Sequence, residues 1–372
     1  MQPISYTYEQ LVLHRDGGVS KAALDALRKR ADKILTEPIY RVTEIPLPRP
    51  SKNNHEYMSV SPYRWPNPDT PDGLPWVRRD GVVNPETDKL PRAVTMYVRV
   101  HDLALAAFYF EKRREEYADF AVRQLYDWFI NPETYMEPSA RYTQSIPGVC
   151  DGCSPGIVDF ASNYPLFDGI GILSSMGLID DELIEGIKKW FTEFTNWLMT
   201  DDERGIAEGG ARDNHGAWYD SQILCAAVFS GREHLVRRVL RSSYAVRIRG
   251  KIRPDGSQPE ELLRTKPIGY SFYALRALFK VAAIGERLGY GEYWGIDEER
   301  GHCILKQAVD FLYPCVKDPK GCPYRDLREG MHGPDMAHAL QIVAKRFPNE
   351  GYLERSSEFD SDSALWRLEP IF

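Results

Sequence analysis

The chain has 372 residues and a formal net charge of −7, from 47 Lys and Arg against 54 Asp and Glu, and 43% of it is hydrophobic. No stretch reaches the ~18 uninterrupted apolar residues expected of a membrane-spanning helix. The acidic balance argues against binding through a strongly basic surface, as for nucleic acid. A polyanionic substrate stays open, because a basic cleft can sit on an acidic body.

Six cysteines are too few for a disulfide scaffold in a chain this long. Cys150 and Cys153 form a CxxC, and Cys315 and Cys322 flank a loop containing Lys and Gly. Zinc takes four ligands, and no second tight pair completes such a set. The expectation is therefore buried thiols or a local disulfide, with no metal and no cofactor. The opening MQPISYTYEQ has no basic stretch followed by an apolar one, so no signal peptide is legible. The expected location is nevertheless periplasmic or secreted. Oligomeric state is not legible.

Helical periodicity dominates the chain. Residues 21–35 read as an amphipathic helix, with apolar positions at Leu24, Leu27, Ala31 and Leu35. The next segment, 49–88, differs: prolines at 62, 66, 68, 71 and 75 forbid continuous helix. A long irregular stretch within a compact domain is often functional. This one carries His55, Tyr57, Tyr63, Arg64, Trp65, Trp76, Arg78 and Arg79. It reads either as a lid that stacks on sugars and pairs with carboxylates, or as a surface wrap over helix ends.

Helix pairs follow at 92–112 with 117–130, 157–176 with 181–199, 215–229 with 232–246, and 267–288 with 303–313. A last helix is expected at 334–346. Asp180 or Asp181 supplies an acidic first turn to the helix over 181–199. Strand-like alternation is confined to short stretches such as 246–252. Successive helix pairs with turn signals between them predict an all-α fold, an (α/α) toroid or barrel of antiparallel helix pairs, as one catalytic domain over 1–372. An α-solenoid is the alternative, but no fixed short repeat supports it.

Aromatic residues make up 12% of the chain, including 21 Tyr and 8 Trp. They suit stacking on sugar rings, although most are expected to fill the core. Two stretches carry chemistry. In EGGARDNHGAWYDSQILCAAVF, 208–229, a periodic apolar run begins after Asp213, Asn214 and His215. That places Asn214 and His215 at a helix start, where free N–H groups and the dipole favour an anion such as a uronate carboxylate. An ordinary N-cap accounts for the same residues. In RPDGSQPEELLRTKPIGYSFYALR, 253–276, Pro267 suits the first helical position, with Tyr270 about one turn in and Arg264 just before.

Breaking a glycosidic bond by elimination requires removal of a weakly acidic proton from C5, beside a carboxylate. Donors must mask the carboxylate, a base must face C5, and an acid must protonate the leaving oxygen. Tyrosine, ordinarily titrating near ~10, does this when cations stabilise its phenolate. Histidine is the other natural base.

DNHGAWYD, 213–220, resembles the NNHGTWYD-type motif of the alginate lyase superfamily of polysaccharide lyases. PDGSQP at 254–259, Glu261-Leu262, Arg264-Thr265-Lys266 and Tyr270-Ser271 resemble its PDGSQP…EL…RTK…HYS run. The segment from His55 to Glu86 is similar to the family's HDYxSxxPYxWPDP region, and QSIPG at 144–148 to its QxIPG. These motifs span most of the chain in the family's order. The resemblance implies an α/α toroid, and elimination on a uronate polymer such as alginate, or on glucuronan or another polyuronate. It implies that Asn214 and Arg264 neutralise the carboxylate, that His215 is base or neutraliser, and that Tyr270 is acid and, on mannuronate, also base. It further implies sugar contacts from His55, Tyr63, Trp65, Arg79, Gln144 and Trp218. Two positions depart from the pattern: Asp213 replaces Asn, and Gly269 replaces the His before Tyr.

Two other readings compete. An inverting glycoside hydrolase needs two carboxylates ~6.5–9.5 Å apart, for which Glu208, Asp213 and Asp220 are the nearest candidates. A non-catalytic glycan-binding protein fits the aromatics but leaves the Asn-His…Arg…Tyr set without a purpose.

Overall fold

The computed structural model describes residues 1–46, 50–89, 92–327, 332–359 and 361–371. In chain order its helices are α1 (Tyr8–Asp16), α2 (Lys21–Leu35), α3 (Ala93–Tyr109), α4 (Arg114–Phe129), α5 (Tyr164–Ser175), α6 (Asp181–Thr200) and α7 (Ala207–Gly209). Then come α8 (Asn214–Phe229), α9 (Glu233–Ser243), α10 (Pro259–Leu262), α11 (Pro267–Arg287), α12 (Ile304–Lys317), α13 (Gly333–Ala344) and α14 (Tyr352–Ser356). Strands are few and short: β1 (Met58–Val60), β2 (Arg64–Trp65), β3 (Val77–Arg78) and β4 (Tyr142–Ser145). Among the described residues no helix is long and apolar enough to cross a membrane.

The residues group into two compact units. The first comprises Met1–Ile4, Arg30–Ala211 and Cys225–Arg232; the second comprises Ser5–Lys29, Arg212–Leu224 and Glu233–Phe372. Two of the boundaries fall within helices, one in α2 and one in α8.

In the first unit α3 packs against α4 and α5, and α6 against α4. Aromatic side chains pack much of this core. Phe167 stacks on Phe229 at 4.4 Å, Trp190 on Phe194 at 5.0 Å, and Phe129 meets Trp190 edge-on at 4.9 Å. The Trp190 indole N–H donates to the Met136 carbonyl at 2.6 Å, so its one polar atom is satisfied inside. The expected helix over 157–176 divides into a 3₁₀ stretch, Ser154–Phe160, and α5, which starts afresh with a proline in its first turn.

The segment expected to be irregular over 49–88 has more order than its prolines suggest, though its first residue, Arg49, lies outside the described residues. β1 pairs in parallel with β4, and β2 pairs antiparallel with β3, setting Arg64 opposite Arg78 and Trp65 opposite Val77. The prolines lie outside the paired residues, where no ladder N–H is required.

In the second unit α11 packs against α9, α10 and α12, α12 against α13, and α13 against α14. The alternation at 246–252 does not form a strand. Tyr244–Arg249 is instead a π-helical turn continuing from α9. Arg247 on that turn makes a two-pronged ion pair with Asp220, at 2.9 and 3.1 Å, and both groups are largely buried. Two parallel N–H···O bonds in such a place favour the turn over an extended, half-exposed segment. A disulfide joins Cys315 to Cys322, while Cys150 and Cys153 are free thiols.

Candidate active site

The start of α8 is built by local hydrogen bonding. The Asp213 carboxylate accepts the backbone N–H of His215 at 3.1 Å, and the Asp213 carbonyl accepts that of Gly216 at 3.2 Å. The backbone N–H of Asn214 is bonded to Glu261. The protein's own carboxylates thus occupy the helix start, and the N-cap reading holds there rather than an open anion site.

Pro259 starts the single turn of α10 and sets Glu261 beneath α8. The Asn214 side-chain amide donates to Glu261 at 2.7 Å; Asn214 is 1% exposed and Glu261 3%. Burial pushes the Glu261 carboxyl up to about 7; the bond from Asn214 opposes this, and the nearby Asp213 charge adds to it. Lys251 donates to the Asp213 carbonyl at 3.1 Å, and burial, aided by Arg247, pulls it down to about 8. Between these groups lies a cavity of about 20 Å³, lined among others by Asp213, Ala217, Arg247, Lys251 and Glu261. That volume suffices for one water molecule.

Arg264, on the turn joining α10 to α11, meets Tyr270 in the first turn of α11. The guanidinium carbon lies 4.0 Å from the Tyr270 ring centroid, a close cation–π contact. The same guanidinium lies 3.9 Å from the second Asp213 oxygen. Arg264, His215 and Tyr270 are each half-buried. Arg264, Tyr270 and Asn214 are therefore linked through Asp213 and Glu261, a cation over a phenol beside a buried amide, and the backbone of His215 sits on the same helix start.

Trp218 does not offer a face for stacking. It is 2% exposed, and its ring lies tilted against Tyr273 at 4.9 Å. The residue expected at a sugar subsite is packed behind Tyr273, because position 218 falls on a helix buried nearly all round.

The remaining candidates belong to the first unit. Arg79 lies 5.0 Å from the Trp65 ring centroid, and its backbone N–H donates to the Tyr63 carbonyl at 2.8 Å. The Trp65 indole donates to the Val82 carbonyl at 3.1 Å. This sets an aromatic face and a cation side by side. The His55 imidazole bonds the Tyr135 carbonyl at 2.7 Å. Gln144 is 9% exposed, holds an unusual φ of 46° and donates to the buried Asp159 at 3.0 Å. Its left-handed backbone is strained for a residue other than glycine.

The carboxylates that a hydrolase would use are engaged elsewhere. Glu208 accepts from Ser154 at 3.1 Å, Asp220 is held by Arg247, and Asp213 caps α8. Sequence reasoning missed Glu261 as the partner of Asn214, although it stands within the Pro259–Leu262 turn whose motif was noted. Lys251 carries no local signal.

The model of the family described as alginate lyase matches residues 41–322. In structure the chain is similar to an alginate lyase from Bacteroides ovatus, with a TM-score of 0.90 and 30% identity over 99% of this chain and 98% of that one. It is also similar to alginate lyase A1-III from Sphingomonas species A1, with a TM-score of 0.57 and 18% identity over 95% of this chain and 98% of that one. A single-residue variant of A1-III complexed with a tetrasaccharide matches with a TM-score of 0.55 and 18% identity over 91% and 92%. No curated protein is significantly similar in sequence. The all-α toroid class expected from the helix pairs is the fold class of these lyases.

Proposed function

The chain belongs to the alginate lyase family and is a polysaccharide lyase; on that premise we propose that it cleaves alginate by β-elimination at Asn214, His215, Arg264 and Tyr270. The observation that carries this reading is the Arg264 guanidinium over the Tyr270 ring at 4.0 Å, beside the Asn214–Glu261 pair. A cation at that distance stabilises negative charge on the phenol.

In this reading Arg264 and the second N–H of the Asn214 amide meet the uronate carboxylate and draw charge from C5. The C5–H bond breaks, its electrons form the C4=C5 double bond, and the C4–O bond leaves with the glycosidic oxygen. On mannuronate the C5 proton and the leaving oxygen share a face, so Tyr270 takes one proton and returns one. On guluronate they lie on opposite faces, so His215 takes the C5 proton and Tyr270 protonates the oxygen. No step calls on a metal or a cofactor. Trp65 with Arg79 and Tyr63 is a sugar-binding edge in the first unit, joined by His55 and Gln144, and Trp218 supports Tyr273 from behind. The Cys315–Cys322 disulfide favours a periplasmic or secreted location, since such bonds persist where thiols are not kept reduced.

The test is the ultraviolet absorbance of the unsaturated product. The enzyme is offered polymannuronate, polyguluronate and glucuronan. Absorbance rising on the alginate blocks supports the reading; a rise on glucuronan alone moves the substrate to another polyuronate. New reducing ends without absorbance would mean hydrolysis and overturn it.

A further inference from the structure

The helix that presents Tyr270 is not capped by its own sequence. Lys266, at the N-cap of α11, makes no side-chain capping bond. The Asp326 carboxylate caps it instead, one oxygen accepting the Ile268 N–H at 3.0 Å and the other the Gly269 N–H at 3.2 Å. The next residue, Leu327, donates its N–H to the Thr265 carbonyl at 2.7 Å. Two consecutive residues thus make three bonds to the segment that carries Arg264 at one end and Tyr270 at the other. The Cys315–Cys322 disulfide and the Tyr324 ring, 6.0 Å from Phe311, anchor the approach to Asp326 on α12.

His332 closes the arrangement. Its Nε2 lies 2.7 Å from Asp326, and its ring stacks on Phe272 one turn beyond Gly269. A Cβ on Gly269 would lie 3.2 Å from the Asp326 oxygen and 3.3 Å from the His332 ring. Glycine, the poorest helix former after proline, stands beside Tyr270 where any side chain would press on this pair. The family motif carries histidine at that position; here an imidazole arrives from a distant segment.

We propose that Asp326 and His332 are a positioning pair for the elimination, fixing the 265–270 turn so that Arg264 and Tyr270 keep their contact. Neither residue touches the reacting atoms. Asp326 supplies the anion that the α11 N-terminus attracts, which leaves a uronate carboxylate to Arg264 and Asn214. His332 keeps that carboxylate oriented. Burial lowers the His332 affinity for protons, but its bond to Asp326 and the Asp335 carboxylate 3.9 Å away outweigh this and push it up to about 9.

This inference rests on the lyase reading, and its test separates the two. Asp326→Ala, His332→Ala and His332→Gln are compared with wild type for kcat and KM on the polyuronate that wild type cleaves. Melting curves are recorded, with hydrogen exchange read at the Ile268 and Gly269 amides. A positioning pair predicts that Asp326→Ala and His332→Ala lose at least ten-fold in kcat with KM within about three-fold. It also predicts faster exchange at both amides. His332→Gln, which keeps an N–H donor toward Asp326, recovers most of kcat. Wild-type kcat in a folded Asp326→Ala or His332→Ala overturns the pairing while the lyase reading stands. Should Asp326→Ala not fold, the two His332 variants decide: equal kcat for Ala and Gln overturns it. A wild type that releases no unsaturated product overturns the lyase reading and the catalytic role with it, and unchanged exchange at the two amides then refutes the clamp itself.

Discussion

The Arg264 guanidinium carbon lies 4.0 Å from the centroid of the Tyr270 ring. A Phe at 270 retains that ring and its contact with the cation but has no proton to transfer. Tyr270→Phe should therefore fold as wild type and lose turnover by on the order of 10²–10⁴-fold, the usual range for proton-transfer groups. Product absorbance with a circular-dichroism melt checks both halves. Near wild-type turnover in a folded variant would remove Tyr270 from the mechanism.

Asp213 stands where the family motif has asparagine, and its carboxylate lies 3.9 Å from Arg264. It competes with a uronate for the same cation. Asp213→Asn preserves a good N-cap for α8 and withdraws the competing charge. The expected outcome is a KM several-fold lower on alginate blocks, with the difference shrinking as salt is added. An unchanged or higher KM would show that Asp213 does not compete for Arg264.

Glu261 titrates at about 7 in the folded chain, against an ordinary 4.5. A carboxyl raised in this way adds stability that is complete below about 4.5 and is lost as pH rises through about 7. Glu261→Gln keeps an acceptor for the Asn214 amide and cannot ionise. Its stability should therefore fall less than that of wild type between pH 4.5 and 8, by up to ~3 kcal/mol. Urea midpoints across that range measure it. Parallel pH profiles for the two proteins would show that Glu261 does not titrate there.

His215 decides between two roles. As the base for guluronate, its replacement by Ala should damage guluronate cleavage far more than mannuronate cleavage, by a factor within the general-base range of ~10²–10⁴. As a carboxylate neutraliser it serves both substrates, and both rates fall together. Values of kcat/KM on pure blocks distinguish the two, once wild type is shown to cut both. Equal losses would end the two-base scheme and leave the lyase assignment standing.

The sequence by itself determined whatever depends on neighbours along the chain. The helices over 21–35, 181–200 and 267–287 follow from apolar spacing and from Pro267 at a first turn. Asp213 as the cap of α8 follows from its place before an apolar run. Arg264 and Tyr270 lie six residues apart across one short turn, so their proximity was legible too. Local pattern misjudged 246–252, because the ion pair that favours a π-helical turn joins Arg247 to a residue 27 positions earlier. The family resemblance implied a sugar contact for Trp218, whereas here that ring is 2% exposed on a helix buried nearly all round.

Only tertiary structure decided how the candidate site is held. Asn214 is tied to Glu261 across 47 residues, and the α11 N-terminus is capped by Asp326 across 57 and 58. Capping by a residue's own turn leaves a spacing signature, because the bond spans two or three positions. Capping from a distant loop leaves none. Any carboxylate anywhere in the chain can satisfy two backbone N–H groups, and packing alone selects which one arrives.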